Sequence, residues 1–215
     1  MLALTKHIFI AITLNCILFY LCHLRSHTIK NILILLLISN FLLFYGTLFI
    51  FNSFNYKIHL PLHLCYLTEF LILLSILFRN KLLYPWLLLN SILGGTIGMI
   101  NTNLTTSSLA IEVLHYYLSH FNLLLFAILI FKTNFYLTRI KLVRSIALNA
   151  IAFIFIIFFN FRFNTNYWFT VKKPDGLNLS FIFPEWPYYL LVLIAIGLSF
   201  YIFSYSILLK SKVKA

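Results

Sequence analysis

Seven apolar runs, each long enough to cross a bilayer, recur along the chain, separated by five short polar turns and one long connection. They cover roughly residues 4–24, 31–51, 58–78, 82–101, 110–132, 142–162 and 187–209. A helix rises 1.5 Å per residue, so about 20 residues span the hydrocarbon. Backbone N–H and C=O groups have no water partners in lipid, and helices satisfy them internally. The pattern therefore predicts an all-α polytopic membrane protein, a seven-helix bundle. Residues 1–215 form one domain, because no polar block is long enough to fold separately. The composition agrees, being 62% hydrophobic and 9% charged, against about 25% charged in soluble domains.

The net charge is +12. In a soluble chain that would suggest nucleic acid. Here the Lys and Arg lie in turns and tails, which points to topology and lipid instead. Counted by alternate turns, eleven fall on one side and five on the other. The richer side is cytoplasmic by the positive-inside rule. The N-terminus is thus expected outside, and the C-terminus, with Lys210, Lys212 and Lys214, inside a cell membrane. Lys6 and the apolar run after it resemble a signal peptide. The stretch 22–26 is a poor cleavage site, however, so the run is read as a retained first helix. Cys16, Cys22 and Cys65 form no CxxC pair, and no disulfide framework is expected.

The third run is unusually polar. Residues 59–69 carry His59, His63, Cys65, Thr68 and Glu69. Such groups are costly at membrane depth and mark functional sites. On a helix starting at residue 58, His59 and His63 would share one face. Cys65, Thr68 and Glu69 would share another. Cys65 would lie about 10 Å in, and its base would come from another helix or from Glu69. The fifth run offers His120, about 15 Å in, on a stripe with Glu112 and Tyr116. A thiol needs a base because the thiolate is the nucleophile. Cys65 and His120 on facing helices suit acyl transfer through a thioester, with His63 at the acyl carbonyl or oxyanion. The bland alternatives are an inert thiol, helix-gluing histidines and a neutral, hydrogen-bonded Glu69.

A metal or haem site would compete for the same residues, but His59-xxx-His63 supplies too few placed ligands. No metal or other cofactor is required. Gly94-Gly95-Thr96-Ile97-Gly98 is a small-residue pattern for close helix packing. The sixth connection, 163–186, is long and aromatic. It is expected to be an ordered outer flap that includes Asn166, with Tyr167, Trp168 and Trp186 at headgroup level and a Pro174-Asp175-Gly176 turn.

Leu60-Pro61-Leu62-His63-Leu64-Cys65 resembles the signature of the YwaF-type bacterial integral membrane proteins. His120 resembles that family's later histidine. Asn166-Tyr167-Trp168-Phe169, Lys173-Pro174 and Pro184-Glu185-Trp186-Pro187-Tyr188 resemble its loop segment. Trp168 stands where the family often has Met, and Phe183 replaces the Gly before Pro184. That family is similar to eukaryotic transmembrane acyltransferases that remodel ether phospholipids through a membrane cysteine and histidine. The resemblance implies Cys65 as the acyl-accepting thiol and His120 as its base.

The expected function is a membrane-embedded lipid acyltransferase or lipid hydrolase working through Cys65, His120 and His63. Its partner would be a membrane phospholipid or lysophospholipid. His59, Glu69, Tyr116, Asn166 and Tyr167 are expected to line the substrate site, in a cavity between the third, fifth and seventh helices. The alternatives are a non-catalytic transporter or lipid-binding protein, and a structural subunit. A transporter predicts polar groups through both halves of the bundle; here they cluster in the outer half.

Overall fold

The computed structural model describes residues 2–105, 107–133, 135–174 and 178–213, with side chains from 5 to 208. Seven α-helices follow in order: α1 (Leu2–Leu21), α2 (Ser26–Ile50), α3 (Leu64–Leu77), α4 (Tyr84–Ile100), α5 (Ala110–Phe131), α6 (Arg139–Phe163) and α7 (Tyr188–Val213). Two 3₁₀ turns, Tyr167–Phe169 and Leu179–Ile182, lie between α6 and α7. No strand occurs among the described residues. The all-helical expectation holds, and four helices (α2, α5, α6 and α7) are long and apolar enough to cross a membrane. The Asp175-Gly176 part of the expected turn lies outside the described residues.

The helix at the centre is α5. Its most apolar window is 72% buried, against 11% for that of α7. It packs most extensively on α4, then on α2, with α3 against both α4 and α5. Phe126, Leu123 and Leu125 of α5 meet Leu87 and Leu88 of α4, Ile72 of α3, and Leu33 and Leu37 of α2. Lipid tails are as apolar as these side chains, so close packing and interhelical hydrogen bonds hold such bundles. Near the start of α4, Trp86 Nε1 donates to Asn149 Oδ1 of α6 (2.8 Å), and Tyr201 of α7 donates to Asn90 Oδ1. Among the described residues α7 makes its main contacts with α4 and α6. The expected cavity between the third, fifth and seventh helices is therefore corrected: α4 is the helix that joins α3 to α5.

The third run departs most from expectation. Its helix begins at Leu64, not near residue 58. Its 14 residues rise about 21 Å, short of the roughly 30 Å hydrocarbon. Residues 52–63 turn instead, and His63 is extended at the helix N-cap (φ −61°, ψ 142°). Pro61 has no N–H and biases the residue before it away from helix. Irregular backbone survives in a membrane protein where protein groups satisfy it. Tyr45 Oη donates to the carbonyl of His59 (2.8 Å). The Leu60 amide donates to Tyr167 Oη (3.1 Å), and that hydroxyl donates to the Tyr56 carbonyl (2.6 Å). Trp168 Nε1 donates to the Leu62 carbonyl (2.6 Å).

The flap that supplies Tyr167 and Trp168 is tied to α6 by Asn160. This buried side chain donates to the Tyr167 carbonyl (2.7 Å) and to Thr170 Oγ1 (2.7 Å). Its Oδ1 accepts from the Tyr167 amide (2.9 Å) and from Thr165 Oγ1 (2.6 Å). Tyr167 is fully buried, so it is not the headgroup anchor expected of it; Trp186 is 58% exposed. Burial pushes the Tyr167 phenol up to about 12, so it stays a neutral donor at physiological pH. Asn160→Ala strands four partners and should cost about 2–4 kcal/mol, since each stranded buried group costs about 1–3 kcal/mol before relaxation. Phe161→Ala, on a side chain 84% exposed, should change little. Thermal unfolding of the two variants in detergent tests the contrast.

Candidate active site

Cys65 is the second residue of α3 and half-buried. With residues 58–63 outside the helix, His59 and His63 do not share a helical face, and Cys65 lies in the first turn of α3. That corrects the geometry expected of the third run. What faces the thiol is the backbone of α4. A Cβ added at Gly94 would stand 2.8 Å from Cys65 Sγ. A Cβ at Gly98 would stand 1.9 Å from Cδ2 and 2.3 Å from Nε2 of His120. Gly94 and Gly98 are one turn apart on the same face, about 6 Å along the axis. Cys65 of α3 and His120 of α5 therefore sit side by side on bare backbone. Among the described residues no hydrogen bond joins Cys65 Sγ to an imidazole.

His120 is buried, and its Nδ1 lies 2.7 Å from the Tyr116 carbonyl one turn earlier. A carbonyl only accepts, so Nδ1 carries the proton and the Nε2 lone pair is free. Tyr116 is fixed in turn, its Oη donating to the carbonyls of Gly98 (2.9 Å) and Asn101 (2.7 Å). His63 takes the opposite tautomer. The Trp168 amide donates to its Nδ1 (3.3 Å), which leaves Nε2 as an N–H donor. Neither Nε2 has a hydrogen-bond partner among the described residues. One imidazole thus offers a lone pair and the other a proton.

The flap holds His63 with some strain. Trp168 and Phe169 both have left-handed backbone (φ 57° and 53°), which costs about 1–3 kcal/mol for a non-glycine residue. Such strain persists where surrounding contacts over-determine it. Here Asn160, Leu62 and His63 do so. Asn166 stabilises the flap, its Oδ1 accepting from the Val171 and Lys172 amides (3.0 and 3.1 Å) and its Nδ2 donating to the Lys172 carbonyl (2.9 Å). Tyr167 lies against the His63 ring (centroids 5.0 Å).

His59 is buried beside this cluster. The Asn55 amide donates to its Nδ1 (2.8 Å), so its Nε2 is the donor to Glu112 Oε1 (2.9 Å). Glu112 Oε2 accepts from the Leu109 amide (2.7 Å) and caps α5. This pair fastens residues 52–63 to the start of α5. Glu69 is fully buried; its Oε1 accepts from Asn40 Nδ2 (2.9 Å) and Asn122 Nδ2 (2.7 Å). Sequence reasoning did not assign Asn40, His115, Ser119 or Asn122. Asn40 Nδ2 also donates to Ser119 Oγ (3.1 Å), and its Oδ1 accepts from His115 Nδ1 (3.1 Å). A lone Asn midway along the second apolar run was the available signal.

No metal-binding group of three His, Cys, Asp or Glu forms among the described residues. A cleft of about 460 Å³ opens between Ile8, Ala11 and Ile12 of α1 and Thr96, Met99 and Ile100 of α4. Neither Cys65 nor His120 lines it.

A family model, described as the TMEM164 family, matches residues 1–205. The chain belongs to the TMEM164 family. This is a family of transmembrane proteins, in keeping with the apolar helices. The match runs from α1 into α7 and so takes in Cys65, the glycine face and His120. No curated protein and no solved structure matches the chain.

Gly98→Ala should displace the His120 ring and cost about 1–3 kcal/mol, as overpacking does. Gly197→Ala, with nothing within 4 Å of the added Cβ, should be neutral or slightly stabilising. Paired melting curves in one detergent provide the check.

Proposed function

We propose that the protein is a lipid acyltransferase or lipid hydrolase of the cell membrane, with Cys65 as nucleophile and His120 as base. The observation that carries this reading is the seating of both side chains on the Gly94–Gly98 face of α4. The resemblance of Leu60 to Cys65 and of the flap to the YwaF-type proteins, with their similarity to ether-phospholipid acyltransferases, supports it.

The chemistry needs no external reductant or oxidant. His120 Nε2 takes the thiol proton through one water or lysolipid hydroxyl bridging the one-turn gap. Cys65 Sγ attacks the ester carbonyl of a phospholipid, and the carbonyl electrons move to oxygen. His63 Nε2–H donates to that oxyanion. The intermediate collapses with loss of the lysophospholipid alkoxide, which takes its proton from His120. A thioester remains on Cys65. A second lysolipid hydroxyl, or water, gives its proton to His120 and attacks the thioester, and Sγ leaves as thiolate to be reprotonated. Lysolipid makes the reaction a transfer and water makes it hydrolysis. The flap acts by excluding water and presenting His63. His59 and Tyr116 hold the framework around it.

Membranes supplied with a labelled diacyl phospholipid and an unlabelled lysophospholipid should yield labelled product or free fatty acid. Cys65→Ala should abolish the reaction. His120→Ala should lower it about 10²–10⁴-fold, the usual worth of a general base. A wild-type rate no higher than that of the Cys65→Ala membranes would overturn the enzymatic reading and favour a lipid-binding protein.

A further inference from the structure

Glu69 is one of four acidic residues in the chain, and its side chain is fully buried. No Lys or Arg makes an ion pair with it among the described residues. Titratable groups near it are Tyr45 on α2, Cys65 and Tyr66 on its own helix, and His115 on α5. None of these carries a fixed positive charge. The only titratable side chain of α4 is Tyr84, in its first turn.

Two of the fully buried oxygens that lack a hydrogen-bond partner are Glu69 Oε2 and Asn122 Oδ1. They belong to the two residues already joined by the 2.7 Å bond from Asn122 Nδ2 to Glu69 Oε1. Asn122 cannot be flipped to relieve its Oδ1, because Nδ2 would then be withdrawn from Glu69 Oε1. Both orphans are acceptors if Glu69 is ionised. An ionised carboxylate with one oxygen bare is costly in such surroundings. A cation would need more oxygens than two, and the neighbouring Asn40 Oδ1 and Ser119 Oγ are engaged. One proton shared between these two hydrogen-bonded residues would satisfy both orphans.

We propose that Glu69 is a neutral acid. Its Oε2–H donates to Asn122 Oδ1 and closes a cyclic acid–amide pair with the existing Nδ2–H···Oε1 bond. The pair anchors a relay across three helices. Asn40 donates to Glu69 Oε1 and is thereby oriented with Oδ1 toward His115. His115 must then carry its proton on Nδ1, which leaves the Nε2 lone pair free. Its ring is clamped between Phe44 (centroids 3.8 Å, 11°) and Tyr66 (4.5 Å), and Tyr66 adjoins Cys65 in sequence. Glu69 is thus a positioning residue: through Asn40 it sets the tautomer of an imidazole packed on Tyr66, the residue that follows the proposed nucleophile. The protonation state does not rest on the acyl-transfer reading.

Infrared spectroscopy of the full-length protein in detergent, at neutral pH, tests this without an activity assay. The wild type should show the carbonyl stretch of a protonated carboxylic acid, and ¹³C-glutamate labelling should move it. Glu69→Gln, which keeps the shape and a donor to Asn122, should remove that band and keep the helical spectrum. Asn122→Ala should shift the band to higher frequency, because the acid loses its acceptor. The wild-type band and its isotope shift are read without any variant, so misfolding of one variant leaves the test intact. Absence of the wild-type band at neutral pH overturns the proposal, as does a band that survives in Glu69→Gln. Stabilisation of the wild type by sodium ions, with no acid band, would assign the site to a cation instead.

Discussion

Bare backbone on α4 is what allows three helices to meet closely enough to share polar groups. At Gly98 any side chain would occupy the space of the His120 ring, and at Gly94 that of the Cys65 sulfur. Gly95 does the same for Leu124, whose Cδ2 would lie 2.7 Å from an added Cβ. In water such contacts would be secondary to apolar burial. In lipid, where helix association depends on packing and hydrogen bonds, they decide which helices are neighbours. The pair proposed to react follows from the packing: α4 seats Cys65 from α3 and His120 from α5.

A second constraint acts at the other face of the thiol. The backbone before α3 is not helical, so its polar groups must find partners elsewhere. They find them in Tyr45, Tyr167 and Trp168. The flap is therefore part of the third segment's hydrogen bonding as well as its cover. Asn160 sets the flap, the flap sets residues 56–63, and those residues set His63 at the start of α3. The strain at Trp168 and Phe169 is held by the same bonds.

Much of this was legible in the sequence, and the failures have physical causes. Hydropathy located all seven helices, although α3 and α4, at 14 and 17 residues, are shorter than the roughly 20 that a span needs. It could not separate a helix from an irregular apolar segment satisfied by distant side chains, so residues 58–63 were expected to be helical. Pro61, which has no N–H and biases Leu60 away from helix, was the local signal. Tyr167 was placed at the headgroups because its aromatic loop looks interfacial; burial under Asn160 depends on a contact with α6. The glycines were legible as a close-packing face, but nothing in one helix tells which side chains press on it. Asn40 and His115 escaped because a relay across α2, α3 and α5 has no local spacing.

The central claim is that Cys65 is the acyl-accepting thiol beside His120. Its most direct test is the mass of the Cys65-bearing peptide after purified protein is incubated with diacyl phospholipid vesicles and quenched in acid. The expected result is a fatty-acyl mass increase on Cys65 that hydroxylamine removes. Cys16 and Cys22 should lack it, as should Cys65 in His120→Ala protein. An unmodified Cys65 under conditions where lysophospholipid is being formed would contradict it.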